Sequence, residues 1–211
     1  MIFYKTPDKL FAVIFSLSLL FSSCGDSQQK RPATTSGKIQ GKKVAIVVGQ
    51  RYFKDEELNI PKAMFEKEGA SVTIVSSKLS VAEGDTGTKI QPNILIDNVD
   101  VADFDAIVFI GGSAVKRDFW ENPKAHTVCR EAHKQGKILA AICWGPVVLA
   151  NAGVLEGKKA TGHHAQGADE ILKSKGCFYT GESVTVDGNI VTAYGPSSAD
   201  SFAVAIVDAL R

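Results

Sequence analysis

These 211 residues carry almost no net charge, only four cysteines, and no apolar run long enough to span a bilayer. Each shortage excludes something. With 24 basic against 23 acidic side chains, and no cluster of Lys and Arg interleaved with aromatics, the chain offers no nucleic-acid surface. Cys24, Cys129, Cys143 and Cys177 are widely spaced and include no Cys-x-x-Cys pair, which rules out a disulfide framework. The apolar stretch from Leu10 to Phe21 is about a dozen residues, short of the ~20 needed to cross a bilayer as a helix. No internal repeat is present, and nothing in the pattern requires a cofactor.

What the N-terminus does contain is an export signature. Lys5 and Lys9 precede the apolar stretch, and Phe21-Ser22-Ser23-Cys24-Gly25 follows like a bacterial lipobox, with Phe21 where Leu is usual. This reads as a lipoprotein signal peptide over residues 1–23 with lipid attached at Cys24. Ordinary cleavage near Ser23 and an uncleaved anchor are the competing readings. The lipoprotein reading puts the protein in a bacterial cell envelope, on the periplasmic or surface side, held to the membrane by its lipid. Residues 24–40 are polar and read as a flexible tether. Residues 41–211 form the folded domain, large enough to bury a core without staples.

Within that domain, strand-like and helix-like patterns alternate. Lys43 to Val48 is a continuous apolar run, a helical pattern follows from Glu56 to Glu68, and Ser71 to Ser76 is the next strand. A hairpin is expected around Gly84-Asp85-Thr86-Gly87, carrying Ile90 and Ile94 to Ile96. Phe104 to Ile110 is a buried strand that breaks at Gly111-Gly112, and a helix from about Pro123 to Gln135 feeds the run Ile138 to Ile142. Val184 to Val191 reads as a hairpin around Asp187-Gly188, and Ser197 or Ser198 caps a last helix reaching Leu210. Such βαβ alternation specifies an α/β fold, a mostly parallel sheet with helices on both faces. Its functional groups should gather at the carboxyl ends of the strands.

Cys143 is the leading candidate there. It ends an apolar strand and is followed by Trp144-Gly145-Pro146, a nucleophile-elbow pattern in which glycine allows a sharp turn and proline starts a helix. The helix N-terminus would favour thiolate over thiol. The plainer alternative is a small core cysteine at a strand end. Gly111-Gly112 is a second strand-end turn whose backbone N–H groups, with that of Trp144, could face a developing oxyanion; alone it is an ordinary tight turn. Glu57 opens the first helix, where an acidic side chain usually just compensates the dipole. His163 and His164 follow Cys143 by about twenty residues and are the only downstream histidines. His126, Cys129 and His133 share a helix face and could be read as metal ligands, but Cys129 also lies in the apolar stripe of Ala125, Val128 and Ala132. A core cysteine with histidines at the solvent edge is the simpler reading, and no metal site is assigned.

Glu56-Glu57-Leu58-Asn59-Ile60-Pro61, Ile110-Gly111-Gly112, Ala141-Ile142-Cys143-Trp144-Gly145-Pro146, Thr161-Gly162-His163 and Gly195-Pro196 together resemble the ThiJ/PfpI family, that of the parkinsonism-associated protein and the PfpI-type proteases. The pieces cover essentially all of residues 41–211 in family order. The resemblance implies a flavodoxin-like three-layer sandwich, a homodimer, and Cys143 as a reactive nucleophile. It implies that Glu57, as a protonated acid, hydrogen-bonds the sulfur, that Gly112 and Trp144 supply oxyanion donors, and that His163 approaches the cysteine. One departure counts: PfpI-type proteases have His directly after the cysteine, where this chain has Trp144, and indole cannot act as a base. No His-x-Glu of the amidotransferase kind follows His164 either.

The expected function is therefore cysteine-dependent, cofactor-free chemistry on small reactive carbonyls, glyoxalase-III or deglycase-like, in stress protection. A non-enzymatic thiol redox sensor is the first alternative. A cysteine peptidase or amidase acting on peptides is the second.

Overall fold

In a computed structural model of the chain, the described residues are 37–211. The expected signal peptide over 1–23, lipid-attachment residue Cys24 and most of the tether lie outside them. The fold begins earlier than Gly41. Ile39 is buried and its N–H donates to the Glu68 carbonyl at 3.1 Å, so the last residues assigned to the tether are held against the first helix.

The first half of the described chain runs β1 (Lys43–Val47), β2 (Arg51–Phe53), α1 (Asp55–Lys67), β3 (Ser71–Ser76), β4 (Ala82–Gly84), β5 (Lys89–Ile90), β6 (Ile94–Leu95), β7 (Ala106–Phe109) and α2 (Ser113–Asp118). The second half runs α3 (Pro123–Lys134), β8 (Ile138–Ile142), α4 (Pro146–Asn151), β9 (Lys159–Ala160), α5 (Ala168–Ser174), β10 (Phe178–Tyr179), β11 (Val184–Asp187), β12 (Ile190–Ala193) and α6 (Ala199–Ala209). Seven strands form one sheet in the order β11-β12-β8-β7-β1-β3-β6, parallel except for β11.

Strand alternation sorts the side chains into two cores. Ala45, Val47, Ile107, Phe109, Leu139 and Ala141 pack with Val128, Cys129, Leu149 and Leu155 on one face. Val44, Ile46, Ala106, Val108, Ala140 and Ile142 pack with Leu58 and Phe65 of α1 and Phe202 and Ile206 of α6 on the other. Both faces are covered, which is why the strands read as continuous apolar runs.

Two expected elements differ. The hairpin pairs β4 with β5, while Ile94 and Leu95 leave it to extend the main sheet beside β3. Ser198 occupies the cap position of α6, but its side chain makes no cap hydrogen bond, because a 3-10 turn over Pro196–Ser198 leads into the helix.

Candidate active site

Cys143 follows β8 directly, and its N–H donates to the Ala193 carbonyl of β12 at 3.0 Å. The chain then turns so tightly that Cys143 adopts φ +62°, a left-handed conformation that costs an L-residue about 1–2 kcal/mol. Gly145 closes the turn through its N–H to the Ile142 carbonyl at 2.9 Å. A side chain there would sit 2.8 Å from the Phe109 carbonyl, so only glycine fits. Pro146 starts α4 as expected, but α4 has only 6 residues, and its dipole is correspondingly weak. The groups that address the sulfur are instead the backbone N–H groups of Gly112 and Trp144, both of which favour the thiolate.

Glu57 meets this thiol from α1. Its side chain is fully buried. Oε2 accepts the Gly111 N–H at 2.9 Å, and the carboxyl also interacts with the Cys143 thiol. Oε1 has no hydrogen-bond partner among the described residues. Gly111 makes the approach possible, since a Cβ there would lie 2.5 Å from Cys143 Cβ and 2.8 Å from Glu57 Oε2. Burial pushes the Glu57 carboxyl up to about 8, against the opposing pull of the Gly111 N–H, the thiol and Lys54. Burial also pushes the Cys143 thiol up, and negative charge on Glu57 adds to that. The two effects are coupled: with Glu57 protonated, as at neutral pH, the second disappears.

The sulfur faces a pocket of about 460 Å3, whose wall includes Tyr52, Lys54, Asp85, Trp144 and His163. His163 is tied to the elbow by its own N–H, which donates to the Cys143 carbonyl at 2.9 Å. Its Nδ1 accepts the Ala165 N–H at 3.0 Å. A backbone N–H can only donate, so neutral His163 carries its proton on Nε2. Burial, and after it His164 and Lys54, hold its pKa below the ordinary value, which keeps the ring neutral. The ring stacks on His164 at 5.0 Å and lies 5.1 Å from the Tyr194 ring, and Tyr194 hydroxyl meets His164 Nδ1. Trp144 is fixed from behind by Trp120, whose indole N–H donates to the Trp144 carbonyl at 3.0 Å.

Sequence reasoning missed the charged wall. Lys54, just ahead of α1, pairs with Asp85 on the β4–β5 hairpin, and that contact raises the Lys54 pKa. The hairpin is held by Asp55, whose carboxylate accepts the N–H groups of Thr86 and Thr88 at 2.9 and 2.7 Å. Burial raises the Asp55 pKa, but these hydrogen bonds outweigh it and hold the carboxyl well below its usual range. The Gly84–Gly87 turn was visible in the sequence; its partner thirty residues upstream was not.

The other cysteines are elsewhere. Cys129 and Cys177 are buried in the opposite core, where burial raises both thiols. His126 Nε2 lies 2.8 Å from the Trp120 carbonyl, and no metal-holding group of His, Cys, Asp or Glu occurs among the described residues.

The sequence model of the DJ-1/PfpI family matches residues 42–209. An uncharacterized protein of Methanocaldococcus jannaschii is 37% identical over 204 residues, 96% of this chain and 97% of its own. A deglycase of Pyrococcus horikoshii is 35% identical over 145 residues, covering 69% of this chain and 86% of its own. The crystal structure of a ThiJ/PfpI domain protein from Brachyspira murdochii superposes with a TM-score of 0.77 at 32% identity, covering 81% of this chain and 97% of that one.

These relatives overturn the expected envelope location. The two sequence relatives are archaeal, one of them is named a deglycase, and the Methanocaldococcus protein aligns across most of residues 1–23, the expected bacterial lipoprotein signal. That reading rested on a short apolar stretch and a lipobox with Phe21 in place of Leu. Among the described residues no helix is long and apolar enough to cross a membrane. An elbow cysteine against a buried glutamate, on a doubly covered parallel sheet matched from end to end, leaves one conclusion: the chain belongs to the DJ-1/PfpI family.

Proposed function

We propose that the protein is a cysteine-dependent, cofactor-free enzyme acting on small reactive carbonyls such as methylglyoxal. The observation that carries this reading is the fully buried Glu57 carboxyl, raised by burial to about 8, set against a strained elbow cysteine that lines a pocket. In the proposed reaction Sγ of Cys143 adds to the aldehyde carbon, and the new oxyanion takes hydrogen bonds from the Gly112 and Trp144 N–H groups. The thiol's proton stays on that oxygen as a hydroxyl. Glu57 in its ionised form then takes the proton from the former aldehyde carbon and returns it to the neighbouring carbon, while the hydroxyl proton passes to the neighbouring oxygen, leaving a thioester. Water then cleaves the C–S bond, giving lactate and restoring the thiol, with no net oxidation. His163, protonated on Nε2, serves as a hydrogen-bond donor in the pocket.

The same tautomer argues against the peptidase reading. A base would need a free ring lone pair in the pocket, and the only lone pair of neutral His163 is engaged by Ala165. Trp144 supplies no substitute. The relative named as a deglycase supports carbonyl chemistry in this family. A redox-sensor reading keeps one specific support: of the three cysteines among the described residues, only Cys143 lines the pocket, where the Gly112 and Trp144 N–H groups and Glu57 could hold a sulfinate. The homodimer implied by the family resemblance belongs to the proposal and is read from molar mass by light scattering.

The test is lactate formation from methylglyoxal by the purified chain beside Cys143→Ala. Turnover lost in the variant supports the enzyme. Turnover absent from both, with mild peroxide adding mass at Cys143 alone, transfers the site to the sensor reading.

A further inference from the structure

A second pocket, of about 350 Å3, shares no lining residue with the Cys143 pocket. Three strand ends build it. Gln50 and Arg51 follow β1, Lys78 and Ser80 follow β3, and Arg117 and Asp118 end α2, which follows β7. From β1 the chain passes to α1 on one face of the sheet, and from β7 it passes through α2 to α3 on the other. The pocket therefore sits where the connections diverge, the crevice in which open α/β sheets take ligands.

Its polar floor is already committed. Gln50 Nε2 donates to Ser76 Oγ and to the Lys78 carbonyl, both at 2.8 Å, and its Oε1 accepts Ser80 Oγ at 2.9 Å. Among the described residues, Asp118 is the only carboxylate lining the pocket. Its Oδ2 accepts the Gln50 N–H at 2.8 Å and its Oδ1 accepts Arg117 Nε at 2.8 Å. Arg51 and Lys78 have no such partner: neither enters an ion pair among the described residues, although Glu83 lies opposite Arg51 in strand register. In a chain of nearly balanced charge, two uncompensated cations meet at one concave site.

We infer that this pocket binds a phosphate group. Two free cations match a dianion, the planar Arg51 fork suits two oxygens at once, and Lys78 supplies a mobile point charge. The inference is independent of the chemistry at Cys143.

The test titrates the intact protein with inorganic phosphate, with glycerol phosphate and with malonate at constant ionic strength, by calorimetry and amide NMR. Expected is one saturable site for phosphate, with shifts at Gln50, Arg51 and Lys78. Arg51→Gln and Lys78→Gln each weaken it about tenfold, the loss of one charged hydrogen bond. Both side chains are exposed, so neither change threatens folding. Lys173→Gln and Cys143→Ser bind as the parent does, and the latter keeps this inference separate from carbonyl turnover. Glycerol phosphate binding tighter than inorganic phosphate assigns the site to a phosphorylated metabolite, and equal binding assigns it to free phosphate. A response that does not saturate, an affinity unchanged in both glutamine variants, or tighter binding of malonate overturns the inference.

Discussion

Glu57→Gln should change the pH dependence of stability in a direction opposite to that of an ordinary carboxylate. The folded protein holds this carboxyl at about 8, raised by burial from its ordinary 4.5. Below 4.5 both folded and unfolded chains carry the proton, and Glu57 makes no pH-dependent difference. As pH rises from there, the unfolded chain ionises while the folded one does not, so stability falls by roughly 1.4 kcal/mol per pH unit until Glu57 ionises in the folded state too. Across that window, from 4.5 to about 8, the loss is about 5 kcal/mol. Glutamine keeps the shape and the hydrogen-bonding capacity without the titration. Urea unfolding of both proteins between pH 4 and pH 9 should therefore show the variant gaining on the parent steadily above pH 4.5 and levelling beyond pH 8. A difference that stays flat with pH, or a parent that gains on the variant as pH rises, would refute the buried, protonated carboxyl.

Other expectations follow from the same geometry. Cys143→Gly should be more stable than Cys143→Ala by about 1 kcal/mol in thermal unfolding, the reverse of the usual order, because glycine relieves the φ of +62°; alanine proving the more stable would remove the strain from the account. Asp55→Ala should cost roughly 3 kcal/mol, since two N–H groups of the hairpin lose a charged acceptor, and lower the melting temperature by about 6–12 °C. Because the Asp55 pKa is depressed, its contribution is present above pH ~4 and fades as pH falls; Asp55→Asn should accordingly unfold with a weaker acid dependence, as followed by circular dichroism.

Much of this was readable in the chain because it is local. The continuous apolar runs of β1, β7 and β8 announced a sheet buried on both sides, and Cys143-Trp144-Gly145-Pro146 announced the elbow. Glu57 was harder: in sequence it is one of three acidic residues in a first helical turn, and only packing shows that it points at Gly111 and the thiol. The Lys54–Asp85 wall was invisible, because it depends on a hairpin folding back onto α1 through Asp55. His163 was visible as a candidate, but which ring nitrogen carries its proton depends on a loop contact two residues on, the Ala165 N–H to Nδ1, that no sequence pattern shows. The misread location came from the opposite weakness, a short pattern with no packing to check it.

The central claim is that Glu57 and Cys143 titrate as one unit. The most direct measurement is the rate of Cys143 alkylation against pH, followed by mass spectrometry in the parent and in Glu57→Gln. The account predicts Cys143 reacting faster than Cys129 and Cys177, with an inflection near pH 8 in the parent as Glu57 ionises, absent from the variant. Superimposable profiles in the two proteins would contradict it.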